Sequence, residues 1–205
     1  MIDKICIFLT NKMRKEMPEI DDERAEIINY GLQNIIGEIP KIFIMLGIAY
    51  LLGVFKLALI TFLIILPYRT FSGGFHLKTH LGCIVCTSLM YTGPAFISKY
   101  IVLEGMPKII TIVLLWIFAM IMITLYAPAD TENVPILRKK ERMQKRILSY
   151  ITMTIALVVA GLINNQVLSN IIMIGYLVQT CSITRLAYKI TKNKYGHEVY
   201  EVTIV

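Results

Sequence analysis

The residues best suited to chemistry are a histidine and a cysteine in one short polar segment. Arg69-Thr-Phe-Ser-Gly-Gly-Phe-His76 is followed seven residues later by Cys83. A thiolate attacks acyl carbon, and a neighbouring imidazole can take the thiol proton and later return it to a leaving amine. An unperturbed thiol has a pKa of roughly 8.5, so near neutral pH it needs such a partner. The pattern predicts Cys83 as nucleophile and His76 as its base.

The spacing of the two residues limits where they can lie. Seven residues along one straight helix separate two side chains by about 10 Å, too far for direct contact. We therefore expect His76 in a loop or at a helix entry, and Cys83 in the first turns of the helix that follows. Gly73 and Gly74 permit the required backbone turn. Thr79 is placed to cap the helix.

Other assignments of the same residues stay open at this point. His80 stands three residues before Cys83 and could serve as the base. Cys86 could be the nucleophile, although it lies one turn deeper, where desolvation disfavours a thiolate. His76, His80 and Cys83 could also be three zinc ligands, but a fourth ligand is not evident. We predict no metal and no other cofactor.

Arg69 and the glycines have both a structural and a functional interpretation. An arginine at the inner end of a membrane span commonly anchors the helix at the interface. Alternatively, Arg69 could bind a substrate carboxylate or an oxyanion. Backbone N–H groups at Ser72, Gly73 and Gly74 could contribute to the same substrate site.

Composition assigns the whole chain to the membrane class. It has 205 residues, 56% of them hydrophobic, and a mean hydropathy of +0.65, well above the usual values for soluble domains. The first two of six predicted spans are short for the roughly 20 residues that cross a bilayer. Lys56 divides them. The chain either makes a tight turn there, which separates two spans, or continues as one long bent span. The predicted spans are Ile42–Phe55, Leu57–Tyr68, Leu81–Ile97, Ile109–Ala127, Ile147–Ile163 and Val167–Ala187.

The net charge of +7 is unevenly distributed. With six spans and the N-terminus inside, the outer segments hold only Lys56, Lys99 and Lys108. The inner segments hold Lys4, Lys12, Arg14, Lys15, Arg24, Arg69, Lys78, the six basic residues from Arg138 to Arg146, and Lys189, Lys192 and Lys194. This positive-inside pattern places both termini and the segment from Arg69 to Cys83 in the cytoplasm. It indicates membrane orientation and an acidic partner, and we predict no nucleic-acid binding.

These observations predict an all-α polytopic membrane protein with one integral membrane domain over residues 1–205. Residues 1–40 form amphipathic interfacial helices, because Ile2, Ile5, Leu9 and Met13 recur at helical spacing. Asp21 or Asp22 could cap the second of them. Six transmembrane helices occupy residues 41–188, and residues 189–205 form a cytoplasmic tail.

A second polar feature follows the fourth predicted span. Ala127-Pro-Ala-Asp-Thr-Glu-Asn-Val-Pro135 leads into a basic run from Arg138 to Arg146. Membrane orientation explains most of this charge. The remainder suggests a loop that binds an acidic segment of a peptide substrate, with Lys139, Lys140 and Arg142 as its candidate residues.

The chain resembles the accessory gene regulator B proteins, membrane peptidases of Gram-positive quorum sensing. The resemblance covers nearly the whole length. Its main elements are Gly31-Leu-Gln33, the core of Arg69, Gly74-Phe-His76 and Cys83, the 127–135 segment, and the order of hydrophobic stretches.

The resemblance implies a cysteine endopeptidase that also forms a ring. Cys83 would cleave the C-terminal tail from a short AgrD-like propeptide, with His76 as base and then acid. The resulting thioester would be attacked by a side chain of the substrate, giving a cyclic thiolactone or lactone. The resemblance also favours His76 over His80 and Cys83 over Cys86. It further implies a homodimer in the lipid bilayer of the cell membrane, and Gln33 as a residue that orients the imidazole.

Proteins of other classes can have a similar hydropathy profile. A transporter is disfavoured because no ionisable residue lies in the middle of a predicted span and the two halves do not repeat. A non-catalytic regulatory subunit that binds an acidic peptide is the remaining alternative. Replacing Cys83 would have no effect on such a subunit beyond slight repacking.

Overall fold

The computed structural model describes residues 2–17, 19–77, 79–132 and 134–200. Over these residues the chain is helical, without a strand, and two isolated bridges join Gly73 to Ala129 and Thr131 to Val134. The predicted all-α class is therefore confirmed. The helices are α1 (Ile2–Glu16), α2 (Asp22–Leu51), α3 (Phe55–Ser72), α4 (His80–Ile97), α5 (Gly105–Tyr126), α6 (Lys139–Leu162), α7 (Gln166–Ser182), α8 (Arg185–Ile190) and α9 (Gly196–Val199).

Three helices have the length and composition needed to cross a membrane. They are α3, α5 and α6, and two shorter apolar helical stretches occupy Ile39–Leu51 and Leu81–Ile97. The apolar side chains of α5 lie largely at the molecular surface, with Leu114 62% exposed and Leu125 60% exposed. Such a surface requires an apolar environment, so these helices are those of a membrane protein.

The N-terminal region departs from the expected arrangement. α1 forms as predicted and packs against α2, while Phe8 on its other face is 67% exposed. Asp21 caps α2 by accepting a hydrogen bond from the Arg24 N–H at 2.8 Å. The predicted second interfacial helix and the predicted first span form one continuous helix, α2, which contains Pro40 in its interior. Pro18, which stands in the sequence between the two predicted interfacial helices, lies outside the described residues.

The chain turns sharply between α2 and α3. α2 ends at Leu51 and α3 begins at Phe55, with Gly53 in the left-handed region at a φ of 67°. Lys56 therefore lies in the first turn of α3, and the alternative of one long bent span is wrong. The predicted boundary at Phe55 is corrected to Leu51. The sixth predicted span also ends early, because α7 stops at Ser182 and α8 begins at Arg185.

α7 is the central helix of the bundle. It contacts α3, α4, α5, α6 and α8, and ten of its residues are buried. Close packing at its centre requires a small residue. A Cβ added at Gly175 would lie 2.5 Å from Ile65 Cδ1 and 3.1 Å from Ile65 Cγ1. Small residues of this kind let membrane helices approach each other closely.

We expect Gly175→Ala to destabilise the fold by about 1–3 kcal/mol, because overpacking displaces the buried Ile65. Combining it with Ile65→Val removes the clashing Cδ1 atom. The double variant should therefore lose less folding stability than the two single variants lose in sum. Gly47→Ala is the matched control, since no atom lies within 4 Å of its added Cβ. Thermal unfolding in detergent micelles compares these three variants and Ile65→Val alone with the wild-type protein. Independent, additive effects of the two substitutions would contradict the contact.

Candidate active site

One cavity brings most of the predicted site residues together. It has a volume of about 380 Å³ and is lined by Arg69, Gly73, Gly74, His76 and Cys83. Segments far apart in sequence surround it, namely α2, α3, the loop before α4, α4, the 127–136 segment and the start of α6. Most of the other side chains in its wall are apolar, among them Ile42, Phe62, Leu66, Phe75, Leu77, Met90, Tyr91, Val134 and Ile136.

His76 and Cys83 have the local placement that their spacing predicts. His76 is an exposed residue in the loop between α3 and α4. Cys83 lies in the first turn of α4, where it is 9% exposed and its N–H donates to the Thr79 carbonyl at 3.0 Å. Thr79 caps this helix by accepting from the Gly82 N–H at 3.2 Å. The cap fixes the first turn of α4 and therefore also the position of the Cys83 thiol.

The two rival residues differ in how far the structure describes them. Cys86 lines the same cavity one turn further along α4, so it stays a candidate on position alone. The side chain of His80 lies outside the described part of the chain. Its suggested roles, as the base or as a zinc ligand, therefore stay predictions.

The glycine pair allows the loop to lie directly against the 127–136 segment. Gly73 has a φ of 72°, and a Cβ there would collide with the backbone of Ala129. The Gly74 N–H donates to the Ala129 carbonyl at 2.9 Å, and the Ala129 N–H donates to the Ser72 carbonyl at 2.8 Å. The Gly73 N–H donates to the Arg69 carbonyl. Both glycine N–H groups are thus occupied within the fold, which does not support their use as oxyanion donors.

Arg69 connects the loop to α7. Its Nη1 donates to Gln179 Oε1 and to Ser182 Oγ, each at 3.2 Å, and its Nη2 donates to the Phe75 carbonyl at 3.0 Å. The Gln179 Nε2 then donates to Ser72 Oγ at 3.0 Å and to the Gly73 carbonyl at 2.8 Å. Arg69 therefore shapes the loop and also presents a positive charge at the cavity wall.

Asp130 organises the segment on the other side of the cavity. Its carboxylate is fully buried and pairs with Arg142 Nη1 at 3.1 Å and with His197 Nδ1 at 2.8 Å. The Ile136 N–H also donates to it at 3.0 Å. Tyr188 donates its hydroxyl to the Asp130 carbonyl and to the Ala129 carbonyl. Burial raises the pKa of Tyr188 above its ordinary value, so this hydroxyl keeps the proton that it donates.

The basic run differs from the expected loop. Residues from Lys139 onward belong to α6, and only the residues before Lys139 form a connecting segment. Arg142 is a predicted substrate-binding residue, but its side chain is only 12% exposed and its guanidinium is bound to Asp130. Lys139 and Lys140 are exposed at the start of α6. Lys145 lines the cavity and pairs with Glu141 at 3.1 Å.

Sequence reasoning missed several residues that hold the site together. Gln179 and Ser182 lie in a segment predicted only as a membrane span, and a buried amide in an apolar helix was the available signal. Asp130 belongs to the 127–135 segment that carried part of the resemblance, but no role was predicted for it. The side chain of Gln33, proposed to orient the imidazole, lies outside the described residues.

Comparison with known proteins identifies the relatives of this chain. The family model for accessory gene regulator B matches residues 6–183, which include His76 and Cys83. A Listeria innocua protein whose name describes it as AgrB-like is 32% identical over 185 residues, covering 88% of each chain. A similarly named Listeria monocytogenes protein is 32% identical over 184 residues, again with 88% of each chain covered.

A more distant relative matches over the full length. A Clostridium acetobutylicum protein, also named AgrB-like, is 24% identical over 211 residues, covering all of this chain and 96% of the relative. No solved structure matches. With the family model spanning most of the sequence and relatives above 30% identity, this chain belongs to the accessory gene regulator B (AgrB) family.

Proposed function

We propose that this chain is a membrane-embedded cysteine endopeptidase that cleaves a short propeptide and closes its N-terminal product into a ring. One observation carries the proposal: His76 and Cys83, from separate elements, line the same largely apolar cavity. A nucleophile and a base that share a cavity with a fixed cation, Arg69, are the parts needed for acyl transfer.

The first half of the reaction cleaves the propeptide. His76 takes the proton from Cys83 Sγ, and the sulfur attacks the carbonyl carbon of the scissile peptide bond. The C–N bond then breaks, and His76 returns the proton to the departing amine. The products are a free C-terminal tail and a thioester that joins the rest of the propeptide to Cys83.

The second half of the reaction uses a nucleophile from the substrate. A thiol or hydroxyl of the bound propeptide loses its proton to His76 and attacks the thioester carbon. The bond to Cys83 Sγ breaks, the thiolate recovers the proton, and a thiolactone or lactone peptide leaves. Hydrolysis would destroy the intermediate, and the apolar lining supports the proposal because it disfavours water at the thioester.

Family membership supplies the setting for this chemistry. It implies involvement in the agr quorum-sensing system, with an AgrD-like propeptide as the substrate context. We further propose six spans in the cell membrane, both termini and the cavity on the cytoplasmic side, and a homodimer. The positive-inside charge distribution supports this orientation, and the exposed apolar faces of the helices support insertion into lipid.

The first test is a covalent adduct on Cys83. Purified protein in lipid vesicles, incubated with a candidate propeptide, should gain the mass of the propeptide's N-terminal part on Cys83. Cys83→Ala should abolish the adduct and all cleavage. His76→Ala should slow cleavage by roughly 100-fold or more, the usual contribution of a general base. Peptide mapping by mass spectrometry locates the adduct.

The same experiment separates the candidate classes. Cleavage by Cys83→Ala at the wild-type rate would exclude this cysteine as nucleophile, and an adduct on Cys86 would transfer the role to that residue. A wild-type protein that binds the propeptide and never cleaves it would favour the non-catalytic regulatory subunit.

The exposed lysines at the start of α6 generate a second prediction. Replacing Lys139 and Lys140 together by Gln should raise the KM for a propeptide with an acidic tail by about 3-fold to 10-fold at low salt, because charge pairing at a rim assists association. The KM for a propeptide with a neutralised tail is the control and should not change. High salt should remove the difference. Equal effects on both peptides would exclude charge pairing at this place.

Arg142 should behave differently from these lysines. Arg142→Met leaves the buried Asp130 carboxylate without its guanidinium partner, so we expect a loss of about 3 kcal/mol in folding stability. Adding Asp130→Asn removes the unpaired charge and should recover part of that loss. Thermal unfolding of the single and double variants measures both effects. Full stability of Arg142→Met with weakened substrate binding would restore the tail-binding interpretation of this residue.

A further inference from the structure

The chain after α8 folds back toward the loop that carries His76. α8 ends in a reversal in which Lys192 has a φ of 55°. The Lys192 N–H donates to the Lys189 carbonyl at 3.3 Å, and the Asn193 N–H donates to the Tyr188 carbonyl at 2.9 Å. This pair of hydrogen bonds defines a Schellman motif, which fixes the direction of the residue that follows the helix end. Asn193 is that residue.

The Asn193 side chain contacts the backbone of the proposed base. Its Nδ2 donates to the His76 carbonyl at 2.8 Å and to Thr191 Oγ1 at 2.8 Å. A primary amide nitrogen has two N–H groups, so each of these partners receives one. The other anchors of this loop lie upstream, at Gly74 and Phe75. Asn193 thus contacts the backbone of His76 itself.

The segment that carries Asn193 is firmly attached to the rest of the fold. The Tyr195 ring stacks on Tyr188 with centroids 4.0 Å apart, and its hydroxyl donates to the Ile183 carbonyl at 2.9 Å. A Cβ at Gly196 would lie 2.7 Å from the Thr131 carbonyl oxygen, so the backbone there packs directly on the 127–136 segment. His197 completes the attachment through Asp130. Asn193 is therefore held from both sides: α8 precedes it, and the contacts of Tyr195, Gly196 and His197 follow it.

We propose that Asn193 is a positioning residue for His76, holding the histidine's backbone so that the imidazole is directed toward Cys83 in the cavity. The proposal rests on the proposed function, because it assigns His76 the role of base. The family model matches residues 6–183, which do not include Asn193.

A positioning role predicts a specific kinetic effect. His76 and Cys83 belong to different elements, so their relative placement depends on how the loop is held. Misplacement of a reacting group by about 1 Å can lower a rate by roughly 100-fold. Since Asn193 is one of several anchors, we expect a smaller fall, near 10-fold in kcat. Substrate binding to the rest of the cavity is untouched, so KM should change less than 2-fold.

Two substitutions separate positioning from charge. Asn193→Ala removes the amide, and Asn193→Asp keeps its shape but replaces the donating nitrogen by an oxygen. Lys194→Ala changes the exposed neighbouring residue and controls for general disturbance of the segment. Asn165→Asp makes the same chemical change at the cap of α7, where either side chain can accept the capping hydrogen bond from the Leu168 N–H. Both controls should keep wild-type kcat.

A second measurement does not need the propeptide. Iodoacetamide alkylates thiolates, so the rate of Cys83 alkylation against pH, followed by fragment mass spectrometry, reports how His76 acts on the thiol. Asn193→Ala and Asn193→Asp should shift this profile in the direction produced by His76→Ala. The controls should retain the wild-type profile, and thermal unfolding verifies that each protein is folded.

The outcomes are distinct. Lower kcat at nearly constant KM in both Asn193 variants, with shifted alkylation profiles, supports the positioning role. Wild-type kcat in either variant, a loss confined to KM, or an unchanged profile overturns it. A fall in Asn193→Asp alone also overturns it, since the added charge would then be the cause. If wild-type protein alkylates normally but never cleaves any propeptide, the proposed function fails, and the profiles still decide whether Asn193 places His76.

Discussion

The guanidinium of Arg69 is the point at which three parts of the chain meet. A charge at the end of an apolar helix must be surrounded by polar groups or by water. Here the Phe75 carbonyl, the Gln179 amide and the Ser182 hydroxyl provide that environment. Each partner belongs to a segment that must stay in place for the charge to remain satisfied. The loop before α4 is consequently bound to α7, a helix that begins only at Gln166.

This constraint explains the composition of the residues around Arg69. Gln179 can serve both the guanidinium and the loop because its amide accepts through one atom and donates through the other. Gly74 must lack a side chain, since a Cβ there would lie 2.6 Å from Arg69 Nη1. The same cation lines the cavity that contains Cys83. A fixed positive charge at the cavity wall favours an anion in the cavity, such as the oxyanion of the proposed acyl transfer.

Local rules were enough to predict the ends of several elements and the placement of the two reactive residues. Asp21 and Thr79 cap their helices because each accepts from an N–H three residues further on. The loop position of His76 follows from helix geometry alone. The continuity of α2 could not be predicted in this way. Proline usually ends a helix in water, but neighbouring helices can compensate for it in a membrane protein.

Long-range contacts account for the remaining differences between expectation and structure. The basic run suggests a loop on the inner side of the membrane, because positive charge concentrates in such loops. In the fold, Asp130 binds Arg142, and the Arg146 Nε donates to the Ala127 carbonyl at 2.8 Å, so two of these cations are satisfied inside the protein. The partners of Arg142 and His197 are known only once the 127–136 segment and the C-terminal segment are in place. No pattern within the sequence predicts that these side chains pair with Asp130.

The arrangement of the cavity bears on why a ring would form instead of a hydrolysed chain. Cys83 is fixed by a capped helix, and the loop of His76 is fixed by α7 and the C-terminal segment, so the walls on both sides of the thiol are firm. Most of the wall between them is apolar. Water at the apolar part of the wall loses hydrogen bonds that these side chains do not replace. A nucleophile that is already part of the bound acyl chain does not meet that cost, and its effective concentration at the thioester is high. Under the proposed function, this fixed and largely apolar geometry would therefore favour resolution of the acyl-enzyme by cyclisation.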